Sequence, residues 1–173
     1  MKKIIAMVML VAMTAGTGII HASARKGSVD SSAILKVVGK YQGKEGFETV
    51  TFGNLAVGLV RLIANATAET PEDKAALDIM DGISKFVAVE YDDAEASVKA
   101  SFNKEISALL AGAEKIVEVK DDGDSVDIYG TLSKDGEKIR DIIIHVPEES
   151  SILCIFGTVD INDLGKVMKA ADE

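Results

Sequence analysis

The sequence predicts an α+β fold, a two-layer sandwich in which helices pack on one face of a mostly antiparallel sheet of about six strands. Before Lys115, several segments repeat apolar residues every three or four positions, and beyond it the period changes to two. Two Asp-Gly pairs, Asp122-Gly123 and Asp135-Gly136, separate alternating runs as hairpin turns do. Helices first and hairpins later favour an α+β domain over alternating parallel units.

Each predicted helix has an apolar stripe and a recognisable start or end. The first begins near Asp30 or Ser31, either of which can serve as N-cap, and the third has Thr70 as cap with Pro71 at its first position. Gly112 ends the fourth. The five predicted helices are Ser28–Tyr41, Asn54–Ala66, Thr70–Ser84, Asp93–Gly112 and Asn162–Ala170.

The predicted strands complete the order α-β-α-α-β-α-β-β-β-β-α. Two strands, "FETVTFG" and "KFVAVEYDD", lie between helices, and a C-terminal meander follows as "EKIVEVK", "SVDIYGTLS", "EKIRDIIIHV" and "ILCIFGTV". In the third meander strand, simple alternation places His145 with Ile139 and Asp141, on the face opposite Arg140. The last strand is apolar on both faces, which is typical of a strand covered on both sides.

Residues 1–24 have the pattern of a cleaved signal peptide. Lys2 and Lys3 precede an apolar run that ends in the small-residue motif Ala22-Ser23-Ala24. A retained membrane anchor is the alternative, but the run is short for a span and ends in a cleavage motif. We therefore expect an exported chain, periplasmic or secreted, in which residues 25–173 form a single α+β domain.

Charge and cysteine content exclude several classes of function. Without Lys2 and Lys3, 17 basic side chains stand against 28 acidic ones, a net charge of −11. Such a chain repels phosphate backbones, so nucleic-acid binding is not expected. One cysteine cannot form an intramolecular disulfide, so packing alone must stabilise the fold.

Cys154 and His145 are the candidates for nucleophilic chemistry. They could lie on adjacent strands, as a thiol and its base would require. The aliphatic neighbours in "ILCIF" are expected to raise the pKa of the thiol, whereas a catalytic thiol needs an electropositive, accessible setting. We therefore interpret Cys154 as a buried structural residue and assign no catalytic residue.

Four aspartates near one turn, Asp121, Asp122, Asp124 and Asp127, are the candidate metal ligands. Oxygen-rich loops suit Ca²⁺, but this stretch does not have the spacing of an EF-hand loop. The pattern favours a solvated acidic hairpin tip, so no metal or cofactor is expected. Asp92 or Asp93 is similarly interpreted as the cap of the helix that follows.

Several segments together resemble a known family. The signal peptide, the opening "ILKVVGKYQGKEGFETVTFG", the meander and the closing "ILCIFGTVDINDLGKVM" are similar to small exported proteins of Bacteroidetes that are classed only as a domain of unknown function. The resemblance implies an envelope or secreted location in a Gram-negative bacterium. It implies no activity and no site residue.

Two functional hypotheses follow. The first is a non-enzymatic interaction module of the cell envelope, in envelope assembly or stress signalling, that contacts an envelope protein or self-associates through the apolar runs Leu55–Ile63 and Ile152–Phe156. These runs could instead be core. The second is a small hydrolase or ligand-binding domain with carboxylates in a cleft and at least one strongly raised pKa. The sequence favours the first.

Overall fold

The computed structural model describes residues 27–54, 57, 58, 80–121 and 124–162. It confirms the α+β fold, with helices α1 and α2 and a six-stranded sheet. In chain order the elements are α1 (Ser31–Tyr41), β1 (Glu48–Phe52), β2 (Ile83–Glu90), α2 (Ala96–Leu110), β3 (Glu114–Asp121), β4 (Asp124–Leu132), β5 (Lys138–Val146) and β6 (Ser151–Asp160). Most of the predicted helices Asn54–Ala66, Thr70–Ser84 and Asn162–Ala170 lies outside the described residues.

All neighbouring strands of the sheet are antiparallel, in the order β1-β2-β6-β5-β4-β3. The predicted meander is confirmed, since β3 to β6 pair in sequence. The last strand of the meander also pairs with β2, with Val87 opposite Cys154. The strand that contains Cys154 is therefore an interior strand of the sheet, as its two apolar faces predicted.

Both helices pack on one face of the sheet and form the helix-side cluster. Asp30 caps α1, because its carboxylate accepts a hydrogen bond of 3.0 Å from the Ala33 N–H. Four aromatic rings fill the space near the end of α1, with centroids 4.8 to 5.5 Å apart. The cluster includes Ile34, Val38, Tyr41, Val87, Val89, Tyr91, Phe102, Ile106, Leu110, Ile143, Ile152, Cys154 and Phe156.

The opposite face of the sheet is buried as well. Its nine buried apolar residues form the second-face cluster: Ala88, Ile116, Val126, Ile139, Ile142, Ile144, Val146, Leu153 and Val159. In β6, Cys154 is fully buried on the helix side and Leu153 is 3% exposed on the other side within this single chain. The run Ile152–Phe156 is therefore core rather than a surface for self-association. Of Leu55–Ile63, only Val57, which is buried, and Gly58 are described.

A series of register shifts crosses the sheet and reassigns the faces of β5. Relative to β4, β5 has one extra residue in a bulge at Asp141, whose backbone has φ 55°, and relative to β5, β6 has one extra residue between Ile155 and Thr158. One extra residue reverses the alternation, so Ile139 joins the second-face cluster and Arg140 lies on the helix side. The predicted grouping of Ile139 with His145, opposite Arg140, is therefore wrong.

Two local predictions about the other elements are also wrong. Ile83, which falls within the predicted helix Thr70–Ser84, begins β2 instead. Gly82 packs there against the backbone of Thr158, and its C=O accepts a 2.8 Å hydrogen bond from the Thr158 N–H. Helix α2 begins later than predicted. Its N-cap is Glu95, which makes no side-chain capping bond, rather than Asp92 or Asp93.

Asp141 joins three elements at the bulge. Its carboxylate accepts a hydrogen bond of 2.8 Å from the Ser31 hydroxyl of α1 and one of 3.1 Å from the Gly157 N–H of β6. The side chain is 14% exposed. Aspartate also tolerates the left-handed backbone better than most residues do. The bulge therefore fixes the start of α1 to the sheet.

We expect Asp141→Ala to lower the free energy of unfolding by about 2 kcal/mol, because it removes two charge-assisted hydrogen bonds and leaves the Gly157 N–H without its acceptor. Urea denaturation followed by circular dichroism measures this. Ser31→Ala removes one of the two bonds and should cost about half as much. An Asp141→Ala variant as stable as the wild type would contradict this role.

Candidate functional site

Cys154 is a buried thiol on the inner side of β6. It is fully buried, and burial raises its pKa to about 12, so the thiol stays protonated at neutral pH. Its cross-strand partners are Val87 and Ile143. The predicted structural role of Cys154 is confirmed in its burial, and the rise in pKa has the predicted cause.

We expect Cys154 to react with an aromatic disulfide reagent only after unfolding, because the reaction requires an accessible thiolate. Absorbance at neutral pH, with and without urea, measures the reaction. The native chain should show less than about a hundredth of the denatured rate, since opening of the core limits access. Equal rates in both conditions would contradict the burial of the thiol.

His145 lies on the strand next to Cys154 but is turned to a different partner. It pairs with Ile152, whereas Cys154 pairs with Ile143, so the two residues are diagonal neighbours. The His145 Nε2 lies 3.4 Å from Oδ1 of Asn103 on α2, and the same oxygen accepts a 2.6 Å hydrogen bond from the Tyr91 hydroxyl. Because that oxygen only accepts, the contact places the ring proton on Nε2.

The His145–Asn103–Tyr91 group is buried between α2 and the sheet. Burial lowers the pKa of His145 to about 4, against a smaller opposing effect of Asp127, so the imidazole is neutral at pH 7. Burial likewise raises the pKa of Tyr91. Sequence reasoning missed Asn103 and Tyr91, since one lies inside a helix and the other follows a strand without any motif. The group is suited to joining α2 to the sheet rather than to proton transfer near neutrality.

Of the four candidate calcium ligands, Asp127 alone has a described side chain. Its carboxylate lies 2.9 Å from Lys115 Nζ and accepts a 3.1 Å hydrogen bond from the Tyr129 hydroxyl. It therefore links β4 to the neighbouring strand β3. The side chains of Asp121, Asp122 and Asp124 lie outside the described residues. Among the side chains described, no three His, Cys, Asp or Glu residues are arranged to hold a metal ion.

A groove of about 270 Å³ lies at the end of the meander, and its lining could bind a small ligand. Its walls are the end of β4, the following turn, the start of β5 and one residue of β6. The lining contains three cationic and three hydroxyl side chains with one leucine: Thr131, Leu132, Ser133, Lys134, Lys138, Arg140 and Thr158. We call it the meander groove.

A row of three side chains crosses the meander groove. Arg140 pairs with Thr131 on one side and with Thr158 on the other. Residues directly opposite in an antiparallel sheet have side chains on the same face, so one guanidinium stands between two hydroxyls. The Thr131 Oγ1 accepts a 3.1 Å hydrogen bond from the Val29 N–H, which leaves its own proton free to donate.

Carboxylates near the meander groove are engaged in holding the backbone. Asp135 accepts hydrogen bonds from the Ser133 hydroxyl and the Glu137 N–H, and Asp160 accepts one from the Asn162 N–H. Across the described ranges, neither Lys134 nor Lys138 has a carboxylate oxygen within ion-pairing distance. The lining of the groove is therefore cationic in a chain whose net charge is −9, although the charge of Lys138 interacts with Asp135 and Arg140 contacts Asp141.

The carboxylate-hydrolase hypothesis requires a carboxyl group with a strongly raised pKa, and the described carboxylates with a displaced pKa show the opposite shift. The described carboxylates with a displaced pKa, Glu105 and Asp135, have it lowered. The main cause is the hydrogen bond from Lys40 for Glu105 and from Ser133 for Asp135. A general acid at neutral pH needs a raised pKa. These two groups are therefore structural carboxylates.

The fold and the meander groove define an α+β protein with helices on one face of a six-stranded antiparallel sheet and a cationic groove beside a bulge. The chain belongs to the family described as a domain of unknown function (DUF4252), whose model matches residues 41–167. The matched span contains the entire groove. No curated protein and no solved structure matches the chain. Within the described residues, no helix has the length and apolar character needed to cross a membrane.

Proposed function

We propose that this protein is an exported, non-enzymatic binding module of the bacterial cell envelope, and that the meander groove is its binding site. The observation that carries the proposal is the row Thr131–Arg140–Thr158 with Lys138 beside it. These side chains present hydrogen-bond donors to solvent, and Lys138 has no carboxylate within ion-pairing distance in the described ranges. The two candidates for nucleophilic chemistry, Cys154 and His145, are instead buried in the core.

Export is supported by the pattern of residues 1–24 and by the resemblance to small exported proteins. To test it, the full chain is produced in a Gram-negative host, cells are fractionated, and intact mass is measured. The expected result is a periplasmic or secreted chain that begins at Arg25. An Ala24→Phe variant, which puts a bulky residue at the cleavage site, should retain the leader. A wild-type chain that stays in the cytosol with residues 1–24 attached would contradict export.

Binding is tested by chemical cross-linking of the exported chain in the envelope fraction, with the same amount of an Arg140→Gln, Lys138→Gln double variant alongside. The expected result is a cross-linked product that the double variant loses by about tenfold. Lys104→Gln is the matched control, because Lys104 is an exposed lysine on α2, away from the groove. Equal products from the double variant would contradict the groove as the site. A ligand that is chemically altered in turnover would contradict a non-enzymatic role.

A further inference from the structure

We infer that the meander groove recognises an oxyanion group, a phosphate or a carboxylate, through the row Thr131–Arg140–Thr158. The inference deepens the proposed function and rests on its assignment of the groove as a binding site. A guanidinium offers a planar fork of N–H donors that matches two oxygens of such a group. The hydroxyls on either side can each donate one further hydrogen bond to the same anion.

The hydrogen-bond donors of Thr131, Arg140 and Thr158 are available to a ligand because the other contacts of these residues do not use all of them. Arg140 touches the Asp141 carboxylate through Nε, at 3.6 Å, while its side chain is 56% exposed. The other two guanidinium nitrogens remain to face a ligand. Thr131 uses its oxygen as an acceptor for Val29, and within the described ranges Thr158 makes no side-chain hydrogen bond. The row therefore presents donors, and the one carboxylate beside it in the described ranges, that of Asp141, meets Arg140 only through Nε and also accepts hydrogen bonds from Ser31 and Gly157.

The positive charge of the meander groove is confined to its lining. This charge favours an anionic ligand, and the acidic remainder of the chain limits the affinity. Lys134 and Lys138 add two positive charges at the rim, whereas the chain as a whole has a charge of −9. Attraction of an anion is then short-range and salt-sensitive, since the rest of the chain opposes it. Leu132 provides an apolar wall, and a volume of about 270 Å³ admits a small head group rather than a large ligand.

The row depends on the bulge at Asp141 and on one further residue of β6 between Ile155 and Thr158. Without the bulge, regular alternation through Asp141 would place Arg140 on the second face with Ile142 and Ile144, and the groove would lose its guanidinium. A residue other than glycine held at positive φ stores strain, and bulges recur beside functional sites, where they redirect a side chain. The hydrogen bonds of Asp141 hold this arrangement in place.

Titration of the ¹⁵N-labelled exported chain with anions tests the inference by NMR. The probes are inorganic phosphate, methyl phosphate and acetate, each at constant ionic strength, with chloride as the reference. We expect shifts of the Thr131, Arg140 and Thr158 amides that saturate with a dissociation constant of the order of 1 mM. Arg140→Gln should weaken binding about tenfold and Thr158→Val a few-fold. Lys104→Gln should have no effect.

Each outcome of the titration decides something. Saturable shifts with the phosphates alone identify a phosphate head group, and shifts with acetate alone identify a carboxylate. No saturable shift with any anion overturns the inference, and so does an affinity that Arg140→Gln leaves unchanged. If anions do not bind while the groove variant still loses its cross-linked product, oxyanion recognition is wrong and the proposed function stands. If anions bind but the chain is not exported, oxyanion recognition stands and the proposed role in the envelope is wrong.

Discussion

Gly157→Ala is expected to lower the free energy of unfolding by about 4 kcal/mol, a large part of the roughly 5 to 15 kcal/mol that stabilises an ordinary domain. The residue lies in β6 with φ 134°, a backbone region that only glycine occupies readily, at a cost of about 1 to 3 kcal/mol for other residues. An added Cβ would also lie 2.1 Å from the Gly82 carbonyl oxygen, which is backbone and cannot rotate away. Relief of that overlap must separate β6 from the start of β2.

Two other glycines separate the sources of this effect. Gly136, in the turn between β4 and β5, has φ 75° and open space where a Cβ would lie, so Gly136→Ala should cost about 1 kcal/mol from the backbone alone. Gly39 lies in α1 with open space and an ordinary φ, so Gly39→Ala should stabilise by about 0.5 to 1 kcal/mol. Chemical denaturation of the three variants measures the series. A Gly157→Ala variant no less stable than Gly136→Ala would contradict the close packing of β6 on Gly82.

The fold could be predicted because its main elements follow local rules. The apolar stripe of α1, the Asp30 cap and the turn at Asp135-Gly136 each depend on residues within a few positions of one another. The burial of Cys154 was predictable for a similar reason, since an unbroken apolar run is typical of an interior strand. The sheet order was not predictable, because the pairing of β2 with β6 joins segments about 70 positions apart.

The candidate site was missed because it depends on the register of three strands. Alternation alone put Arg140 on the opposite face from His145, and it is the register shifts of β5 against β4 and β6 that align it with Thr131 and Thr158. One signal was present: Arg140 and Asp141 are consecutive polar residues in a strand that otherwise alternates or is apolar. Such a pair indicates a bulge, although it does not show which neighbours the redirected side chain will meet.

The same difficulty applies to the His145 group. The partners of His145 come from α2 and from the segment after β2, and neither contact leaves a pattern in the sequence. Prediction therefore identified the histidine but not its environment. That environment has a measurable consequence in acid.

Acid is expected to destabilise the protein through His145 by up to about 3 kcal/mol between pH 6.5 and 4. The unfolded histidine takes up a proton near its ordinary pKa of 6.5, whereas the folded one does so only near 4, because burial disfavours the charged ring. In this window the unfolded chain binds more protons. The free energy of unfolding is therefore greatest above pH 6.5 and falls as the pH drops toward 4.

Asp127 is the charged group that faces His145 from β4, and it moderates the effect by favouring the charged ring. On the α2 side, His145 meets the amide of Asn103, which has no negative charge to compensate that of a protonated ring. Glu105 also loses its stabilising contribution in acid, since its lowered pKa makes the contribution disappear as the pH falls below the usual range of a carboxyl group. That second effect lies at lower pH than most of the histidine window, so the two can be separated.

Urea denaturation at half-unit pH steps from 7.5 to 4 measures the dependence. His145→Phe removes the titrating group and should flatten the slope between pH 6.5 and 5, even if the variant is less stable at every pH. Glu105→Gln should leave that slope intact and change only the more acidic part. Because His145 is the sole histidine of residues 25–173, its ring proton resonance reports the folded pKa directly. A titration midpoint near 6.5 in the folded protein would contradict the buried, neutral ring and the acid sensitivity derived from it.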